Sequence, residues 1–214
     1  HEYCYDATKS KWVKWTDALQ DYTIKAGTSF SNIVVPTVYT ALFDYMLDLL
    51  VSHHKTTLVC GPTGTGKSTY INNTLLHRLP KESYLPIFIA FSAKTMAQQA
   101  QDRVDSSIDR RRKGVYGPSP GKHAVVFVDD LNMPEVEIYG AQPPVELLRQ
   151  LTDNGGWYDL KDKTFKQIVD TTLICAMLPP GGGRNTVTPR MMRHFNILCF
   201  TEFNDLTLTR IFAT

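Results

Sequence analysis

The apolar run TTLVC, Thr56 to Cys60, passes directly into GPTGTGKST, Gly61 to Thr69. No other junction in the chain restricts the fold as tightly. A short, uninterrupted apolar run predicts a strand covered on both faces, which is the usual condition of a parallel sheet. The residues after Gly66 read as a helix, so strand, glycine-rich loop and helix succeed one another. Gly61, Gly66, Lys67 and Ser68 satisfy the spacing G-x-x-x-x-G-K-[ST]. A chance match in a chain of this length is on the order of 1% before the strand context is counted, so a glycine-rich turn without a role is the weaker reading.

The residue types explain one another. Glycines let the backbone from Gly61 through Pro62, Thr63, Gly64, Thr65 and Gly66 curl until its N–H groups converge on phosphate oxygens, and the helix N-terminus adds positive potential. Lys67 then neutralises the β and γ phosphates, Ser68 offers a hydroxyl to Mg²⁺ and Thr69 donates to the α phosphate. ATP or ADP with Mg²⁺ is the expected ligand. A partner for the metal is expected at VVFVDD, where an apolar strand ends in Asp129 and Asp130. Asp129 is the expected magnesium ligand, through water, and Asp130 the residue that polarises the attacking water. Many P-loop ATPases carry Glu there. Asp is one methylene shorter, so its carboxylate falls about 1 Å or more short and slow hydrolysis is expected.

Four further segments supply the rest of the sheet: IFIAF (Ile87 to Phe91), AVVFV (Ala124 to Val128), TLICA (Thr172 to Ala176) and NILCF (Asn196 to Phe200). Their alternation with helix-like stretches predicts an α/β fold, a five-stranded parallel sheet between helices. Ser92 is expected to cap a helix running to about Arg112, with DRRRK as its solvated, cationic end. GVYGPSPGKH reads as a loop, Trp157 to Gln167 as a small hairpin insertion turning at Lys161 to Lys163, and TVYTALFDYMLDLLVSH as a helix ahead of the first strand.

With 214 residues and 43% hydrophobic content, the chain suits one compact domain carrying an arm. A net charge of +2 gives no reason to expect nucleic acid or a membrane surface as partner. No apolar run reaches about 18 residues and the N-terminus lacks the pattern of a signal peptide, so a soluble protein is expected. Cys4, Cys60, Cys175 and Cys199 are widely spaced and read as buried thiols in a reducing compartment. Trp12, Trp15 and Trp157 read as packing residues. His53 and His54 close a helix without further ligands at metal spacing.

VDDLNMPEVEIYGAQPPVELLRQ, GGWYD and PPGGGRNTVTPRMMRHFN together resemble the third AAA+ module of a dynein heavy chain, in wording closer to axonemal than to cytoplasmic forms. The similarity runs from about Trp12 to the C-terminus. It implies a P-loop NTPase of AAA+ type, with residues 1–32 as an arm and 33–214 as the large α/β subdomain; the small helical lid is expected to be absent. It implies a module of a microtubule motor in the cytoplasm and cytoskeleton, in the axoneme of a cilium or flagellum. Neighbouring AAA+ modules of the same chain, microtubules, and dynein intermediate and light chains are the implied partners.

Carried over by residue, the resemblance sets Ile33 to Thr37, with Val35 and Pro36, against the adenine, although a plain connector is an equal reading of that segment. It makes Arg190 and Arg193 candidates for fingers reaching a neighbouring module's nucleotide, with Arg184 a weaker one. Glu146 to Arg149 and Asp153 suit either a helix facing a neighbour or a solvated face. Where AAA+ proteins commonly place a polar sensor, often Asn, this chain has Leu178. Together with Asp130, that departure favours a slow or regulatory nucleotide site over a brisk ATPase; both stay open, as does an actively hydrolysing remodelling ATPase unrelated to dynein.

Overall fold

The structure is a computed structural model that describes residues 3–6, 8–19, 22–24, 27 and 33–213. They form two compact units, one of residues 50–201 and one of 1–49 with 202–214. The expected boundary after residue 32 falls at the edge of a stretch outside the described residues.

In the smaller unit, β1 (Tyr3–Asp6) and β2 (Lys11–Lys14) pair as an antiparallel hairpin. Tyr5 and Trp12 meet edge to face across it with ring centroids 5.5 Å apart. Trp12 is 68% exposed, contrary to the packing role expected of it, because a two-stranded ribbon has no second layer to cover its outer face. Trp15 is buried and packs on Tyr45 of α1 (Val38–Ser52). Thr37 and Thr40 exchange backbone and hydroxyl hydrogen bonds at 3.0 to 3.2 Å, which satisfies N–H groups at the start of α1.

The larger unit is built on five parallel strands. They are β3 (Thr57–Cys60), β4 (Tyr84–Ala90), β7 (His123–Asp129), β10 (Thr171–Met177) and β11 (Asn196–Cys199), with β5, β6, β8 and β9 inserted along the chain. The spatial order is β11-β3-β10-β7-β4. All five expected strands are present. The inner strands β3, β7 and β10 are buried along almost their whole length, so their sequences carry no polar alternation. β4 begins three residues before the expected run and includes Pro86, which an edge strand tolerates because the missing N–H removes no interior ladder bond. β11, the opposite edge, leaves Cys199 exposed, so the expectation of four buried thiols is corrected there; Cys175 is buried, while Cys4 and Cys60 are half-buried.

After β3, α2 (Lys67–Asn73) runs on as a wide π-type turn over Thr74–Arg78. The helix expected from Ser92 to Arg112 is much shorter. Ser92 and Thr95 close a turn of their own, with the Ser92 N–H donating to Thr95 Oγ1 at 2.8 Å, and α3 spans only Ala97–Asp105. The arginine-rich stretch is a strand. β5 (Asp109–Arg112) turns through Gly114, at φ 75°, into β6 (Val115–Gly117), which lies within the expected loop. β6 pairs in parallel with β9 (Phe165–Ile168), which is hairpinned to β8 (Gly156–Tyr158). The expected hairpin is therefore part of a second, four-stranded sheet. Its pairing partners are distant in sequence, and they override the helical reading of DRRR.

One cation holds this sheet to α3. The Lys166 ammonium lies 2.8 Å from Asp105 and 2.5 Å from Asp159, and 5.4 Å from the Tyr116 ring centre. Hydrogen bonding to Lys166 and to the backbone N–H groups of residues 161 and 162 holds the Asp159 carboxyl far below the usual carboxylate range. α4 (Pro143–Asn154) starts on prolines, ends at Gly155 in the left-handed conformation, and packs against α3, β8 and α5 (Pro189–Met192). α6 (Asp205–Ala213) closes the described chain. Among the described residues no helix is long and apolar enough to cross a membrane.

Candidate nucleotide site

Parallel strands bring their carboxyl ends to one edge of the sheet, and the loops leaving β3, β7 and β10 meet there. β3 and β7 lie on either side of β10, with Cys60 in register with Met177 and Val128 with Cys175. Residues more than a hundred apart thus open onto a cavity of about 460 Å³. Its walls include Gly64, Gly66, Lys67, Ser68 and Thr69 from the first loop, Asp129 and Asp130 from the second, and Met177, Leu178 and Arg184 from the third.

Glycine is required in the first loop for two different reasons. Gly64 and Gly66 have φ of 80° and 77°, which L side chains rarely adopt. Gly61 is instead crowded: a Cβ there would sit 2.6 Å from the Phe200 carbonyl oxygen, because β11 follows β3 closely and the Phe200 N–H donates to Cys60 at 2.7 Å. Lys67 is buried and folds back into the loop, its Nζ donating to the Pro62 carbonyl at 2.5 Å and lying 3.4 Å from Thr65 Oγ1. Burial draws its pKa down, while Cys60, Asp129 and Asp130 act in the opposite direction. A desolvated ammonium at the mouth of a loop of backbone N–H groups suits a polyphosphate, whose oxygens would replace the carbonyl it holds.

The metal candidates also converge. Ser68 and Asp129 line the same cavity, and their hydroxyl and carboxylate oxygens are hard donors that would suit Mg²⁺. Asp129 is the last residue of β7, and its Oδ1 accepts the Asp130 N–H at 3.1 Å. Asp130 has φ 56°, a strained conformation for a residue with a side chain. It is imposed by the exit from the strand: the Leu131 N–H donates to the Ala176 carbonyl at 3.0 Å, and Leu131 and Asn132 are fully buried.

Leu178 follows the last residue of β10 and faces the cavity as an apolar wall; only its carbonyl is engaged, by the Asn132 amide. Asn185 lies apart from this wall and bonds instead to the Asn132 and Pro134 carbonyls at 3.1 and 2.8 Å. Arg184 stands against the weak finger role expected of it. It lines the cavity of its own chain, with Nη1 3.4 Å from Asp130 Oδ1. Sequence reasoning missed this inward placement, which depends on the strand order and carries no local signal.

Arg190 lies in α5, a single turn, and Arg193 caps its C-terminal end. Arg190 is exposed; Arg193 donates to Asp153 Oδ1 at 2.6 Å, and His194 lies 2.8 Å from the same oxygen. Asp153 also accepts from Arg149, which pairs with Glu146, so these residues form one network across α4 and α5. Val35 and Pro36 are half-buried in a segment of the smaller unit without regular secondary structure.

The family model described as "P-loop containing dynein motor region" matches residues 22–203. Dynein axonemal heavy chain 1 of Rattus norvegicus is 52% identical over 203 residues, 94% of this chain and 4% of the relative. Dynein axonemal heavy chain 12 of Rattus norvegicus is 49% identical over 216 residues, covering 100% of this chain and 7% of that protein. Dynein axonemal heavy chain 3 of Homo sapiens is 52% identical over 205 residues, 95% of this chain and 5% of the relative. The chain therefore spans only a small part of the length of the curated relatives it matches.

Proposed function

Because this chain belongs to the family of P-loop-containing dynein motor regions, we propose that it is a nucleotide-binding AAA+ module of an axonemal dynein heavy chain, holding Mg-ATP or Mg-ADP and modulating the motor's cycle. Membership of this family sets aside an AAA+ remodelling ATPase unrelated to dynein. One observation carries the nucleotide reading: Lys67, Ser68, Asp129 and Asp130, from two loops far apart in sequence, line a single cavity. The DDLNMP, GAQPP and PPGGGRN segments support the third position in the ring, residues 33–214 as its large subdomain and 1–32 as an arm. Neighbouring AAA+ modules of the same heavy chain are the proposed direct partners. Microtubules and the intermediate and light chains are proposed for the whole motor in a ciliary or flagellar axoneme.

In this reading the loop from Gly61 to Gly66 and Thr69 bind phosphate oxygens, and Lys67 neutralises the β and γ groups. Ser68 and Asp129 would hold Mg²⁺, which supplies charge neutralisation at the bridging oxygens when bound. Asp130 accepts a hydrogen bond from the attacking water. Hydrolysis is slow because Leu178 offers no donor where charge develops and Asp130 is one methylene shorter than Glu. Arg190 is the better-placed finger candidate, since Arg193 is held by Asp153. A missing finger alone costs about 10³ to 10⁵ in rate, so turnover must be judged in an intact heavy chain. There, Asp130→Glu with Leu178→Asn is expected to raise turnover at this site.

Calorimetric titration with Mg-ADP and Mg-ATP tests the binding step. The wild-type chain is expected to bind both, and Lys67→Ala neither. Unchanged affinity in the variant would overturn the assignment.

A further inference from the structure

We propose that Arg184 serves the nucleotide of its own chain, reading the terminal phosphate and releasing Asp130 only when that phosphate is present. The inference rests on the reading of the cavity as a nucleotide site.

Three observations converge on it. First, the Arg184 guanidinium enters a cavity that Lys67, Asp129 and Asp130 also line, so it is directed inward and not toward a neighbouring molecule. Second, its pairing is incomplete. Nη1 is buried and makes no hydrogen bond, and at 3.4 Å from Asp130 Oδ1 it is close enough to attract the carboxylate but beyond good hydrogen-bonding distance. A buried guanidinium donor left in this way favours an incoming acceptor, and a phosphoryl group with several anionic oxygens meets its planar fork better than one distant carboxylate oxygen does.

Third, the backbone positions the residue. Gly181, Gly182 and Gly183 all have positive φ, of 121°, 57° and 84°, and form a tight turn closed by two hydrogen bonds between Gly181 and Arg184, at 3.0 and 3.2 Å. Immediately beyond, Asn185 is bonded to the loop that leaves β7 at Asn132 and Pro134. The side chain of Arg184 is thus free to change its partner while its backbone stays referenced to the Asp130 loop.

The consequence is a link between nucleotide state and Asp130. With a diphosphate bound, Arg184 remains beside Asp130 and keeps that carboxylate engaged. With a triphosphate, the guanidinium transfers to the γ phosphate, and Asp130 becomes available to the attacking water. No bond is made or broken in this exchange. A finger serving a neighbour would show no such dependence on the chain's own ligand.

The test is calorimetry on the 214-residue chain with Mg²⁺ and either ADP or β,γ-imido-ATP, at one ionic strength. Arg184→Gln is expected to weaken the imido triphosphate about tenfold or more, about 1.4 kcal/mol, and ADP less than about twofold. Arg184→Lys, which keeps the charge but loses the fork, should recover part of the loss. It also carries the comparison if Arg184→Gln fails to fold, since it too must then weaken the triphosphate selectively. Equal losses for both nucleotides, or no loss for either, overturn the proposal. If Lys67→Ala abolishes binding while the Arg184 variants leave it intact, the cis role fails and the nucleotide site stands. A wild-type chain that binds neither nucleotide removes both.

Discussion

The side-chain amide of Asn132 donates to the backbone carbonyl of Leu178 at 2.9 Å, tying the loop after β7 to the loop after β10. Asn132 is fully buried, so the bond replaces water at both groups. Asn132→Leu would leave the Leu178 carbonyl unpaired, and a loss of about 1 to 3 kcal/mol is expected. Urea denaturation measures it; a midpoint within error of the wild type would show that this bond makes no net contribution to stability.

Asp129→Asn removes a charge that acts on the metal. About a tenfold or greater loss of Mg-ATP affinity is expected, with ADP binding in the presence of a chelator changed less than about twofold. Equal losses under both conditions would place Asp129 in the loop's architecture instead of the metal's coordination.

Gly61→Ala forces its new methyl against the Phe200 backbone, since both atoms belong to adjacent, hydrogen-bonded strand ends. A destabilisation of about 1 to 3 kcal/mol is expected, together with weaker nucleotide binding as the loop's base shifts. Thermal melting and titration of the same preparation separate the two effects.

The His123 ring stacks on His54 with centroids 3.9 Å apart and bonds to Thr172 Oγ1 at 2.7 Å. Burial, and then the neighbouring His54, hold its pKa below the ordinary imidazole value. The unfolded chain therefore takes up this proton at about pH 6.5, before the folded chain does. The resulting stability is present above that pH and is lost as pH falls through the lower folded value. Melting temperatures measured between about pH 7.5 and 5 should decline less steeply in His123→Asn; an identical slope would assign the pH dependence to other groups.

The P-loop strand, its loop and the five-stranded sheet were legible because each depends on short-range pattern: continuous apolar runs for doubly covered strands, glycine at left-handed positions, and an acidic pair at a strand's end. Of the second sheet, only the β8–β9 hairpin was. DRRR has no apolar alternation, and it becomes β5 only because Gly114 turns the chain and β6 finds β9, about fifty residues later. Helix propensity predicted continuity past Asp105, and pairing with distant backbone outweighed it.

Cys199 and Arg184 show the same division. The apolar run around Cys199 specified a strand, but only the sheet order placed that strand at an edge, where the thiol meets solvent. GPTGTGKST and VVFVDD were enough by themselves to specify a phosphate loop and a carboxylate pair, because the bonded neighbours of each residue dictate its backbone. Which cavity Arg184 enters depends on β10 lying between β3 and β7, on a three-glycine turn, and on Asn185 bonding to the opposite loop. None of those relations is local. The charge and shape of the residue were written in the sequence, whereas its partner was set by the folded arrangement of three strand ends.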